Sequence, residues 1–162
     1  MFGALMFVSK ILMEGLPNVH LIGMFVISFT VVYRVKALIP IYVFVLITGL
    51  YNGFAVWWIP YLYLWTVLWG VTMLLPKNMP RRVAPVVYCA VCALHGLAYG
   101  TLYAPYQAIA FHYSFSQTLA WIAAGFPWDL VHAGGNLVAG MLVVPMIKLL
   151  GKLNKVYLRK TK

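Results

Sequence analysis

Acidic side chains are nearly missing from this chain: Glu14 and Asp129 are the only two among 162 residues. Charge of either sign is scarce, at 9% of residues, where a soluble domain carries about 25%. Too little polar surface remains to face water all round, which excludes an ordinary soluble fold. Cysteine is scarce as well. Cys89 and Cys92 form one C-x-x-C inside an apolar stretch, too few ligands for a structural zinc site and without the βαβ setting of a redox motif. No basic segment followed by a small-residue cleavage site opens the chain, so a cleaved secretory signal is not expected. Three signatures are absent, namely G-x-S-x-G, H-E-x-x-H and a P-loop. Their absence argues against a serine hydrolase, a zinc protease and an ATPase.

What is present is hydrophobic sequence, 64% of the residues, with a mean hydropathy of +0.91. The net charge of +10 comes from twelve Lys and Arg, eleven of them in clusters at Arg34 and Lys36, at Lys77, Arg81 and Arg82, and from Lys148 to Lys162, with Lys10 standing apart. Residues 37–76 and 83–128 contain no Lys, Arg, Asp or Glu at all. Basic clusters between long uncharged stretches mark cytoplasmic loops of a membrane protein, not a nucleic-acid-binding surface. The basic tail also suits anionic lipid.

The expected fold class is therefore an all-α integral membrane protein of one domain over residues 1–162, with six transmembrane helices and both termini cytoplasmic. The spans fall at about 1–14, 20–33, 38–51, 57–76, 83 to between 103 and 110, and 127–150. Gly15-Leu16-Pro17-Asn18 and Asn52-Gly53 supply turns, and Pro127 suits a first helical turn. Residues 114–126 read as a short interfacial helix. The first two spans, about 14 residues each, reach only ~21 Å, short of a ~30 Å hydrocarbon core. Either they thin the bilayer locally or the natural chain begins upstream. Gly49 with Gly53, and Gly96 with Gly100, have the spacing that lets helices approach closely.

Polar groups inside a membrane are costly, so each is a candidate for function. Asp129, His132 and Asn136 share one helix face by their spacing of three and four. Two readings stand: a ligand site near the outer end, or Asp129 capping its helix while His132 and Asn136 bond neighbouring helices. Lys10 and Glu14 are four apart, followed by Asn18 and His20; either they neutralise each other or Glu14 faces an outward cavity, the preferred reading. Trp58, Tyr61 and Trp65 share a face that suits stacking on a planar or cationic ring, while Trp57 suits an interfacial belt. His95, Tyr99 and Tyr103 follow at intervals of four and add polar tips to the same region or bond between helices.

Four stretches resemble the substrate-binding S component of energy-coupling factor (ECF) vitamin transporters: Ala4-Leu5-Met6-Phe7-Val8-Ser9-Lys10, Lys36 through Phe44, Trp57-Trp58-Ile59-Pro60-Tyr61-Leu62-Tyr63, and Pro127 through Asn136. The resemblance implies a six-helix capture subunit of an ABC importer in the bacterial plasma membrane, not an enzyme and without a cofactor. It implies a vitamin-like small molecule bound in an outward pocket. Its partners would be a transmembrane coupling subunit and two ATPase subunits. The candidate substrate-binding residues are Glu14, Asn18, Trp58, Tyr61, Trp65, His95, Tyr99, Asp129, His132 and Asn136, of which Glu14, Trp58, Tyr61, Asp129, His132 and Asn136 fall where the resemblance implies the pocket; a thiamine-like ring suits the aromatics beside carboxylates. Family members carry small residues four apart on the first helix, where they dock the coupling subunit, whereas here Val8 follows Ala4. Phe2 stands near where the metal-transporting branch has a histidine, which disfavours a metal substrate. The alternatives are a membrane-embedded hydrolase using Asp129 and His132, and a stand-alone permease.

Overall fold

The computed structural model describes residues 1–160, with side chains through Lys155. No strand occurs among the described residues. Among the described residues eight α-helices follow one another: α1 (Phe2–Leu12), α2 (Ile22–Tyr33), α3 (Leu38–Asn52), α4 (Tyr61–Leu74), α5 (Ala84–Leu97), α6 (Tyr99–Phe111), α7 (Phe115–Gly140) and α8 (Val143–Lys160). Short 3-10 turns at Arg34–Ala37 and Val56–Trp58 precede α3 and α4.

Two helical runs, Ile22–Asn52 and Ala84–Phe111, are long and apolar enough to cross a membrane; Phe115–Gly140 with Val143–Lys155, bent by 46° at its break, makes a third. The first run is not straight. The Trp65 ring lies 5.8 Å from His20 and 6.1 Å from Phe44, yet an unbroken helix would hold residues 20 and 44 roughly 36 Å apart. The chain reverses at Arg34, whose φ of 54° is unusual for a residue with a side chain. Two hydrogen bonds hold the reversal: the Arg34 carbonyl accepts from Trp69 Nε1 at 3.1 Å, and its guanidinium donates to the Met73 carbonyl at 2.9 Å.

Helix α2 is the centre of the bundle. Nine of its residues, Ile22 to Thr30, are buried in succession, as expected of a helix apolar on every side, and it touches α1, α4, α5, α7 and α8. Its threonine, like those of α3 and α4, returns its hydroxyl to the carbonyl four residues back (Thr30 to Val26 at 2.6 Å), which satisfies a polar atom where no water reaches.

The contacts give the direction of each pass. Phe2 lies against Tyr33, and Tyr33 donates to Asn154 Oδ1 at 3.2 Å, so the start of α1, the end of α2 and the body of α8 meet at one end. At the other end His20 meets His132, and Trp57 meets Tyr61. The chain thus traverses the bundle six times: α1, α2, α3 and α4 singly, α5 with α6, and α7 with α8. The passes are unequal. Helices α1 to α4 have 11 to 15 residues each, roughly 16 to 22 Å; the α5–α6 run has 28.

Two expectations about the last pass are corrected. Residues 114–126 are not a separate interfacial helix, and Pro127 does not open one. Instead, α7 starts at Phe115 behind the N-cap Ser114, whose Oγ accepts the Gln117 N–H at 3.3 Å while Gln117 Oε1 accepts the Ser114 N–H at 2.7 Å. This reciprocal capping box launches a helix that continues through Pro127 to Gly140. The fourth helix also starts later than expected, at Tyr61 and not Trp57, after a 3-10 turn. Gly53 is a turn residue and not a packing one: at φ 85° it ends α3 in open space. Gly96 and Gly140 let α5 and α7 approach closely. A Cβ on Gly96 would lie 3.0 Å from backbone atoms of His132 and Ala133, and one on Gly140 2.7 Å from Cys89 Cα.

Candidate functional site

A cavity of about 320 Å³ opens at the end of the bundle opposite Tyr33 and Asn154, at the lower limit for small-molecule sites. It lies between the α1–α2 connection and helices α4, α6 and α7. Glu14 and Asn18 come from the turn after α1, and Lys10 from its last turn. Asn18 takes φ 59° there, a conformation Asn tolerates well. The aromatic lining is Tyr61 from α4, Trp57 before it, and Tyr99 and Tyr103 from α6.

His20 and His132 face each other in this cavity with ring centroids 4.8 Å apart, and Tyr99 lies 4.9 Å from His132. His20 Nδ1 and His132 Nε2 are buried and have no hydrogen-bond partner. Buried polar atoms are nearly always paired, so two unpaired imidazole nitrogens in one cavity are positions where a ligand's donors or acceptors fit. His20 sits in the connection before α2, outside the helices. Burial pushes its imidazole below the usual range, to about 4, opposed by its own backbone and assisted by Lys10 and His95. It is therefore neutral near pH 7, with one donor and one acceptor nitrogen.

Of the ten residues expected to bind substrate, Glu14, Asn18, Tyr61, Tyr99 and His132 line the cavity. The other five stand behind it, each with an identifiable structural role. Trp58 donates Nε1 to the Val45 carbonyl at 2.8 Å and packs edge-on against Phe54 at 4.9 Å. Trp65, 1% exposed, backs the lining rings, with His20, Tyr61 and Tyr99 all within 6.1 Å. His95 bonds through Nε2 to the Leu64 carbonyl at 3.1 Å.

Asn136 follows the neighbour-bonding reading, and Asp129 follows neither the ligand nor the capping one. Asp129 does not cap its own helix, since α7 began fourteen residues earlier. It accepts the Gly100 N–H through both oxygens, at 3.0 and 3.2 Å. That amide is an orphan of the break between α5 and α6, where early N–H groups have no partner in their own helix. Asn136 donates to the Cys92 carbonyl at 3.1 Å. The carboxylate of Asp129 is thus directed to α6, not to His132.

Eight lining residues lie outside the expected set, and four of them, Lys10, His20, Trp57 and Tyr103, carry charged, polar or aromatic side chains. Lys10 and His20 were weighed only as neighbours of Glu14, Trp57 as a belt residue, and Tyr103 as a continuation of the His95–Tyr99 spacing. Tyr103 donates to the Trp57 carbonyl at 3.4 Å and stacks on Trp121 at 5.8 Å, closing the side of the cavity. Among the described residues no three His, Cys, Asp or Glu are grouped to hold a metal. Cys89 and Cys92 are both free thiols away from the cavity.

The arrangement can stack a ring on phenols and an indole, hydrogen-bond it through imidazoles, and pair charges with Lys10 or Glu14 at the rim. The chain matches no protein-family model, no curated protein and no solved structure, so the cavity itself supports the functional reading.

Proposed function

We propose that this protein is a membrane-embedded substrate-capture subunit of the ECF type. It takes up a vitamin-like small molecule in the cavity at the outer end and passes it inward when partner subunits hydrolyse ATP. In this reading the six passes are six membrane spans, both termini are cytoplasmic, and the membrane is the bacterial plasma membrane. A coupling subunit and two ATPase subunits supply the energy.

The carrying observation is the cavity near His20 and His132: aromatic walls, unpaired imidazole nitrogens and charged groups only at the rim. It lies at the end away from Arg34, Lys77 and Lys148, which line hollows at the opposite end. Basic residues favour the cytoplasmic side, so the cavity faces out. The apolar outer face of α1, with Leu5, Val8 and Leu12 exposed, is available to lipid or to the coupling subunit. A hydrolase using Asp129 and His132 draws less support, because Asp129 is occupied by the Gly100 amide.

The test is a fluorescence titration of folded, ligand-stripped protein with water-soluble vitamins and their precursors. Trp57 lines the cavity, so saturable quenching by one compound at submicromolar concentration is expected, and Trp57→Phe should diminish it. A flat response to the whole panel would overturn the vitamin reading. Substrate turnover by the isolated chain would overturn the capture reading.

A further inference from the structure

Three basic clusters that are distant in sequence come together at the end of the bundle opposite the cavity. Lys77 and Arg81 from the α4–α5 connection and Lys148 from α8 line a hollow of about 480 Å³, with apolar walls that include Met79, Val144 and Ile147. Arg34 and Lys77 line an adjoining hollow of about 220 Å³ against the buried Tyr88. No acidic side chain balances these cations. The only two in the chain, Glu14 and Asp129, belong to the other half of the molecule, at the cavity rim and on α7 beside Gly100. Like charges held together without a counter-charge repel, and an anion from outside relieves them.

We infer that this hollow binds the phosphate headgroup of an anionic phospholipid. The cations take the phosphate, and the acyl chains leave along the apolar walls. Two features select a lipid over a free anion. The walls are apolar where a soluble phosphate needs none. The site also lies at the end that the charge pattern assigns to the cytoplasmic leaflet, whose anionic lipids attract basic segments. Arg34 is already oriented by its bond to the Met73 carbonyl, and Lys77 bridges the two hollows, so the cations stand partly preorganised on three separate elements. The inference is independent of the substrate: an empty outer cavity would leave it intact.

The experiment uses the full chain, delipidated in a neutral detergent, with lipid adducts counted by native mass spectrometry. Phosphatidylglycerol and phosphatidylcholine with identical acyl chains are compared. Saturable binding of phosphatidylglycerol, at least tenfold tighter than phosphatidylcholine, is expected. At the strength typical of surface cations the triple variant Lys77→Gln, Arg81→Gln, Lys148→Gln should weaken phosphatidylglycerol on the order of 100-fold while leaving phosphatidylcholine unchanged. Lys10→Gln, at the other end, should change neither. Should the triple variant fail to fold, the single Arg81→Gln in the exposed connection should still cost roughly fivefold. Equal affinity for the two lipids, or an unchanged affinity in the folded variants, overturns the site. Displacement of the lipid by millimolar sodium phosphate overturns the lipid in favour of a small anion.

Discussion

Replacing Gly96 by alanine tests the close approach of α5 and α7 and, through it, the site. The added Cβ would meet Asn136 Nδ2 at 2.9 Å and the backbone of His132 and Ala133 at 3.0 Å. Two of these three are backbone atoms of α7, so no side-chain rotation relieves them, and α5 and α7 must separate by several tenths of an ångström. Overpacking of this kind costs about 1–3 kcal/mol. The same shift stretches the Asn136 to Cys92 hydrogen bond, for which interhelical bonds in membranes average about 0.6 kcal/mol. A loss of roughly 2–3 kcal/mol is therefore expected for Gly96→Ala, read as a lower unfolding midpoint in detergent. His132 moves with the seam, so ligand affinity should fall with stability. The matched control is Gly134→Ala on α7, where a Cβ meets nothing within 4 Å; removing a helical glycine there should leave stability unchanged or raise it by up to about 1 kcal/mol. If the two variants behave alike, close helix approach is not what Gly96 provides.

The remaining predictions separate residues that line the cavity from those behind it. His132→Ala and Tyr99→Phe should weaken ligand binding with little loss of fold, measured by titration beside circular dichroism. Asp129→Ala should strand the Gly100 amide and cost about 1–3 kcal/mol of stability, while any ligand affinity measured on the folded fraction stays within a few-fold of wild type; a complete loss of binding at full stability would return Asp129 to the site. Trp58→Phe should cost stability through the lost bond to Val45 and leave binding in place. His20 resists protonation in the fold, so between its lowered pKa and the usual histidine value the unfolded chain binds more protons. Stability then rises with pH across that window and falls on acidification from pH 7 to pH 5, by at most about 2 kcal/mol for this group. His20→Gln should make that part of the melting-point profile shallower by this amount, and an unchanged profile would show that His20 is hydrated in the fold.

Much of the architecture is legible in residues whose physics is local. Gly15 to Asn18, Asn52-Gly53 and the basic stretch from Lys77 to Arg82 each lie where one helix ends and another begins, because turn chemistry and stranded charge act over a few residues. The start of α7 was equally legible: Ser114 and Gln117 have capping-box spacing, but Pro127 offered a competing start. Proline in the middle of a helix is tolerated when packing compensates, and no local pattern reveals that packing. The candidate site is legible to a lesser degree for the same reason. Asp129, His132 and Asn136 do share a face, but that face looks into the α5–α6 seam, and only His132 reaches the cavity past it. Trp58 and Trp65 have the right spacing for a wall, yet which carbonyl takes an indole N–H is decided by helices far away in sequence.

The unequal heights of the passes have a consequence for any bilayer that holds this protein. The edge formed by α1 and α3 offers roughly 16 to 22 Å of helix, while the 28-residue run through α5 and α6 offers about 42 Å. Lipid beside the short edge must thin to meet it, whereas the long run must tilt or stand clear of the hydrocarbon. The molecule acts as a wedge, at a cost of a fraction of a kcal/mol per ångström of mismatch. Short-chain membranes lower that cost on the α1–α3 edge, so acyl-chain length becomes a control on how this protein sits and which neighbours it gathers along that edge.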